Sequence, residues 1–169
     1  GAIPEKIDLG FAGKETEVTS IIEDQKGTIW IATWGRGVFL LNTSTLELTR
    51  FTGRIPASSD ISFNENFIYA LYKDKTGRIW FSMLQGLAVY HPAQNSIKTY
   101  TKIDGLPGNS ITDIQEDHLR RLWIGTADKG LSIFDNGHFT SINPPDIRIN
   151  PAISSLALDK ANKMWIATE

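Results

Sequence analysis

Four of the five tryptophans in this 169-residue chain stand six residues after an aspartate. The pairs are Asp24–Trp30 in "DQKGTIW", Asp74–Trp80 in "DKTGRIW", Asp117–Trp123 in "DHLRRLW" and Asp159–Trp165 in "DKANKMW". The tryptophans are 50, 43 and 42 residues apart. A period of roughly 20–50 residues marks a chain of stacked units, none of which closes a core alone.

Aligned on the tryptophan, the neighbouring columns agree. Ile29, Ile79, Leu122 and Met164 precede it, and Ile31, Phe81, Ile124 and Ile166 follow. Two positions on, every residue is small: Ala32, Ser82, Gly125 and Ala167. Six residues before each aspartate stand Val18, Ile68, Ile111 and Ile153, and three before stand Ile21, Leu71, Ile114 and Leu156. Further on, Gly37, Gly86 and Gly130 each open a segment that reaches an aromatic, Phe39, Tyr90 and Phe134.

Each repeat reads as four short strands, A to D. In the first they are "VTSIIE", "TIWIAT", "GVFLLN" and "LELTRFT". They are rich in β-branched and aromatic residues and bounded by turn formers. The consecutive apolar residues Ile29, Trp30 and Ile31 need cover on both faces of the sheet. Four-stranded units sandwiched between neighbours describe an all-β fold, the β-propeller. The expected organisation is about three full four-stranded blades plus a partial fourth. Residues 1–17 form an N-terminal segment whose "KIDL" is a candidate outer strand of a neighbouring blade. Residues 18–66 form blade 1 with a long D–A loop, 67–109 blade 2 and 110–151 blade 3. Residues 152–169 supply strands A and B of blade 4.

The aspartates fall where strand A ends. There a carboxylate accepts hydrogen bonds from turn amides, and Gly27 and Gly77 admit positive φ. Arg120 and Asn162 replace that glycine, so their turns are expected to differ. Asp24, Trp30, Asp74, Trp80, Asp117, Trp123, Asp159 and Trp165 are therefore read as structural and not catalytic.

Composition removes several function classes. There is no cysteine, which excludes disulfides, thiolate metal sites and cysteine catalysis. A net charge of −2 without a basic stripe argues against nucleic-acid binding by this segment. No apolar run is long enough to span a bilayer. No signal peptide is visible, and the Gly-Ala start without Met leaves a removed export signal open. His91, His118 and His138 fall at different repeat positions without metal-ligand spacing. No metal and no cofactor is expected.

The stretch "DGLPGNSITDIQEDHLRRLWIGTADKGLSIFD", residues 104–135, resembles the two-component regulator propeller repeat. The marks are Gly-Leu-Pro before strand A, the aspartate before the turn, Trp-Ile-Gly-Thr in strand B and Gly-Leu opening strand C. The second repeat departs from it with Ser82-Met83, and only the third has Gly-Leu-Pro. The resemblance implies a non-catalytic segment of the periplasmic sensor region of a hybrid two-component system of the Bacteroidetes type. It implies rings of about seven blades and glycans as usual signals. It also implies a membrane helix, a histidine kinase, a receiver and a DNA-binding part beyond this chain.

Ligands of such rings usually meet the face carrying the B–C and D–A loops, opposite the aspartate turns. Long irregular loops on a rigid scaffold are frequent binding elements. Trp34, the one tryptophan outside the column, offers a face for stacking on a sugar ring. Beside it Arg36 suits a carboxylate, sulfate or hydroxyl. The other reading of Trp34 is a packing role between blades. Arg54, Gln85, Asp128 and Lys129 are further candidates. Charges on these segments nearly balance, with no bias toward an acidic polysaccharide.

Two other functions remain open. One is a propeller enzyme, quinoprotein-like or lyase-like, although the vicinal disulfide typical of the former is impossible here. The other is a protein-interaction scaffold. The expected partners are an oligosaccharide and the remaining blades of a parent ring. The isolated chain is also expected to self-associate, because its end blades lack neighbours.

Overall fold

The computed structural model describes residues 17–24, 27–52, 67–142 and 152–168. The fold is all-β, with three four-stranded antiparallel meanders and a two-stranded sheet among the described residues. Blade 1 contains β1 (Val18–Glu23), β2 (Thr28–Thr33), β3 (Gly37–Asn42) and β4 (Leu48–Arg50). Blade 2 contains β5 (Ile68–Lys73), β6 (Ile79–Met83), β7 (Gly86–His91) and β8 (Ser96–Tyr100). Blade 3 contains β9 (Ile111–Glu116), β10 (Leu122–Thr126), β11 (Leu131–Asp135) and β12 (His138–Ile142). Blade 4 begins with β13 (Ile153–Leu158) and β14 (Met164–Thr168). This is a propeller fragment of three full blades and a partial fourth. The expected outer strand at residues 6–9 lies outside the described residues, as do the 53–66 loop with Arg54 and residues 144–151.

The first strands of successive blades lie side by side, β1 against β5, β5 against β9 and β9 against β13. Hydroxyls and a carboxylate pin them. Thr19 Oγ1 donates to the Ile68 carbonyl at 2.6 Å, and Thr112 Oγ1 to the Ile153 carbonyl at 2.7 Å. The Leu71 amide donates to Ser20 Oγ at 3.0 Å, and the Leu156 amide to Asp113 Oδ2 at 2.7 Å. One blade thus supplies partners to the inner edge of the next.

Between blades the tryptophans form the core. Trp30 meets Phe51 from its own blade at 4.8 Å and Tyr90 from blade 2 at 5.6 Å between ring centres. Trp80 stacks on Tyr100 at 6.2 Å and meets Phe134 of blade 3 edge-on at 5.5 Å. Each trio joins a tryptophan, an aromatic from the outer part of its own blade and one from the third strand of the next. Such ring pairs add about 0.5–1.5 kcal/mol beyond the area they bury. The small column residues let the blades approach. A Cβ on Gly125 would stand 2.7 Å from Ile153 Cγ2.

Two expectations shift in register. Tyr90 and Phe134 lie opposite Ile79 and Leu122, the residues before the tryptophan. In blade 1 the residue in that register is Leu41, opposite Ile29, whereas Phe39 lies opposite Ile31. The run from glycine to aromatic is two residues shorter in blade 1 than in the other two, so the columns do not superpose. The outer strand β4 is also shorter than its pattern. The Asn42 carboxamide accepts from the Ser44 and Thr45 amides, Leu46 takes φ 57°, and the turn consumes the residues before Leu48.

At the two ends, positions buried elsewhere are bare. Leu71, Ile114 and Leu156 are buried, but their blade 1 counterpart Ile21 is 60% exposed. Trp30 and Trp80 are buried, but Trp165 is 62% exposed. The same residue type therefore has different worth in different blades. Trp80→Ala is expected to cost about 3–5 kcal/mol, as large aromatic truncations in cores do. Trp165→Ala is expected to cost about 1 kcal/mol or less, close to a surface change. Urea denaturation of the two variants measures the contrast, and equal costs would show that the interfaces are wrongly assigned.

Candidate functional site

The A–B turns build the most regular polar constellation of the molecule. Asp74 Oδ1 accepts from the Thr76 and Arg78 amides at 2.9 and 3.0 Å and from Thr76 Oγ1 at 2.6 Å. Its Oδ2 accepts from Trp80 Nε1 at 2.8 Å and Arg78 Nε at 2.6 Å. Asp117 repeats the set with the Leu119 and Arg121 amides, Trp123 Nε1 and Arg121 Nε. Asp159 takes the Ala161 and Lys163 amides and Trp165 Nε1. Asp24 takes the Thr28 amide at 3.0 Å and Trp30 Nε1 at 3.3 Å.

These contacts favour the ionised carboxylates. Burial pushes the Asp74 carboxyl up, but the donors of Thr76, Trp80 and Arg78 together outweigh it and hold it below the ordinary value. In Asp117 the donors of Trp123 and Arg121 outweigh burial in the same way. At Asp159 the Lys163 amide and the Trp165 indole lower the carboxyl. Asp74 and Asp117, ionised and filled with donors, are poorly placed to take a proton from a substrate or attack one.

The turns themselves do not differ as the sequence suggested. Arg120 and Asn162 adopt φ 67° and 61°, beside 76° at Gly27 and 83° at Gly77. The Gly77, Arg120 and Asn162 amides each donate to the carbonyl of their aspartate, at 2.9, 3.1 and 3.0 Å. The carboxylate's grip on the following amides imposes the left-handed residue, which costs a non-glycine about 1–2 kcal/mol.

The B–C turns lie at the other end of the strands. Each is tied back to the residue preceding the first strand of its own blade. The Trp34 amide donates to the Glu17 carbonyl, that of Leu84 to Phe67, and that of Ala127 to Ser110. Trp34, Leu84 and Ala127 thus hold one position in three successive blades, on one face. The indole of Trp34 stands edge-on to Phe67 at 4.8 Å and Tyr69 at 4.9 Å, both in blade 2. It remains 37% exposed, so one side packs and the other is open. The turn needs Gly35, which has φ 77° and whose Cβ would stand 3.1 Å from Phe67 Cε1.

The other candidates fall on the same face. Arg36 is half-buried two residues beyond Trp34, and Gln85 is exposed beside Leu84. Asp128 and Lys129 are exposed and 3.8 Å apart, and they border Gly108, where a Cβ would meet Asp128 Oδ1 at 2.9 Å. Just ahead of Gly108, Leu106 is buried with Trp80 and Tyr100, which explains the leucine of Gly-Leu-Pro. Arg54 lies outside the described residues.

Sequence reading missed Phe67 and Tyr69 as companions of Trp34. The signal was present in the columns. Seven and five residues before the aspartate, the other blades carry Glu17 and Thr19, Ser110 and Thr112, and Ala152 and Ser154. Blade 2 alone has aromatics there.

Two clefts open on or beside the aspartate-turn face. One of about 700 Å³ lies between blades 1 and 2 and one of about 510 Å³ between blades 3 and 4. Neither reaches the turns of Trp34, Gln85 or Lys129. Among the described residues no group of three His, Cys, Asp or Glu side chains is placed to hold a metal. Among them, too, no helix is long and apolar enough to cross a membrane.

Comparison with known proteins agrees with this architecture. The two-component regulator propeller family matches residues 13–35, 62–85 and 105–128. A curated relative, histidine kinase P4 of Formosa agariphila, is 47% identical over 66 residues, which cover 36% of this chain and 5% of that protein. The extracellular domain of a protein of B. thetaiotaomicron described as a hybrid two-component system superposes with a TM-score of 0.73 at 23% identity. The match covers 89% of this chain and 20% of that one. Virginiamycin B lyase of Staphylococcus aureus superposes with a TM-score of 0.67 at 17% identity, over 89% of this chain and 48% of the lyase. At these identities the structural likeness is one of fold. The chain spans a small part of the relatives it matches in the signalling proteins.

Proposed function

We propose that this chain, three segments of which match the two-component regulator propeller family, is part of the extracytoplasmic sensor region of a two-component signalling protein. It binds a ligand without transforming it, and the signal passes to a kinase and a transcription-regulating part outside this chain. The observation that carries the reading is the platform of Trp34 on Phe67 and Tyr69. A half-exposed indole braced by two rings presents a rigid apolar face at little entropic cost. The C–H face of a pyranose is its natural complement, and Arg36 in the same turn offers donors to hydroxyls or a carboxylate. An oligosaccharide is therefore the proposed ligand class.

The enzyme readings find less support. The lyase likeness is one of fold. Asp74 and Asp117 are filled with donors from their own turns.

Trp34→Ala, placed in an ectodomain that contains this chain, is expected to weaken oligosaccharide binding by about tenfold or more, a typical loss for an interfacial aromatic. Far-UV circular dichroism is expected to be unaltered. Calorimetric titration measures the affinity, and an unchanged value would take this face out of the site.

The bare ends belong to the same reading, as joining surfaces for further blades. Ile21 and Trp165 are apolar patches of the kind that mark association surfaces. The edge of β14 away from β13 has no partner strand among the described residues. As an isolated polypeptide the 169-residue chain is expected to self-associate through these ends. Light scattering behind a sizing column tests this, and a monomer at every concentration would contradict it.

A further inference from the structure

Three joints between first strands are described, β1 with β5, β5 with β9 and β9 with β13. The same two positions pin the first joint and the third. Five residues before the aspartate, Thr19 and Thr112 give their hydroxyls to the Ile68 and Ile153 carbonyls of the next blade. Four residues before it, Ser20 and Asp113 accept the Leu71 and Leu156 amides of the next blade.

The middle joint has neither bond. Blade 2 carries Tyr69 and Ala70 at these positions. Tyr69 lies against Trp34 of blade 1, and the Ala70 side chain has no polar atom to offer. Blade 3 supplies the missing acceptor from within. The Ile114 amide, the counterpart of Leu71 and Leu156, is held at 2.8 Å by Asp113 Oδ1 of its own strand. Separating β1 from β5, or β9 from β13, strips an amide of its acceptor, and a donor left without its partner resists the motion. Separating β5 from β9 at this end strips none.

The other end of the same joint is held. Glu116, buried at the end of β9, accepts the Lys75 amide of blade 2 at 2.9 Å. Pulling that donor away leaves a buried charge short of a partner, which is costly. Tyr72 of blade 2 packs there on the core that contains Ile114, Leu122 and Phe134 of blade 3. A joint fixed at one end and free at the other has the arrangement of a hinge.

We propose that the joint between blades 2 and 3 is a hinge of this scaffold, which turns about the Glu116–Lys75 contact and opens on the Trp34 face. The platform of Trp34, Phe67 and Tyr69 belongs to blades 1 and 2, and Asp128 and Lys129 belong to blade 3, so the motion changes the distance between them. The hinge is a property of the blades and does not depend on the ligand class proposed above.

The chain has no cysteine, so pairs of introduced cysteines carry spin labels without background. Double electron–electron resonance, with labelled chain diluted into unlabelled chain, reads the spread of distances. Gln85→Cys with Asp128→Cys spans the joint on the Trp34 face, and Lys75→Cys with His118→Cys spans it on the aspartate face, all four positions being exposed. The pairs 75–85 within blade 2 and 118–128 within blade 3 use the same labels and report their own motion alone. The spread of the 85–128 pair is expected to be about twice that of the other three. Ala70→Ser, which offers Ile114 the acceptor that Ser20 offers Leu71, is expected to narrow it and to leave the 75–118 pair unchanged. A spread for 85–128 no broader than that of 75–118 or of the within-blade pairs, or one undiminished in a folded Ala70→Ser chain, would overturn the inference.

Discussion

Each blade hangs on one carboxylate. At the end of the first strand in blades 2, 3 and 4 an aspartate collects two backbone amides of the following turn on one oxygen and a tryptophan indole on the other, and Asp24 of blade 1 holds the Thr28 amide and the Trp30 indole in the same way. Hydrogen bonds to a charged group are worth roughly 1.5–3 kcal/mol each, and a buried donor left without its partner costs a comparable amount. The carboxylate therefore fixes the turn, the pairing of the first two strands and the position of the indole at once. The blade interface follows, since the indole so placed is the ring around which Phe51 and Tyr90, or Tyr100 and Phe134, arrange themselves.

This arrangement divides the molecule into two faces with different freedoms. On the aspartate face the turns are held to one conformation, even where Arg120 and Asn162 must adopt a left-handed backbone. On the other face one amide ties each B–C turn to the residue ahead of the first strand of its own blade. Side chains there vary from Trp34 to Leu84 to Ala127 without disturbing the strands. A scaffold of this kind leaves recognition to the face on which it makes fewest demands.

Much of this was legible in the residues. The strands of the first two columns were readable because apolar positions recur at fixed distance from the aspartate, and the carboxylate that sets this distance is itself visible. The third and fourth strands were less so. Their register depends on the length of the preceding turn, which placed Leu41 where Phe39 was expected and shortened β4. The conformation at Arg120 was hidden because the intrinsic preference of arginine argues against it, and the Leu119 and Arg121 amide bonds to Asp117 that impose it exist only once the turn has closed. The setting of Trp34 was half legible. Its exposure and position outside the column were plain, but the rings beneath it come from the next blade. Only adjacency of Phe67 and Tyr69 to residue 34 gives them meaning.

The most direct test of the central role of the aspartate is the pH dependence of stability in the chain and in Asp74→Asn. The folded carboxyl lies below its ordinary value of 3.8. Its ionised form therefore contributes stability that is fully present above that value and is lost as pH falls through the folded one. The melting temperature is predicted to fall steeply with acid below about pH 4. Asp74→Asn is predicted to melt lower at neutral pH and to show a shallower acid fall. A variant that matches the parent at neutral pH and falls with it in acid would contradict the account.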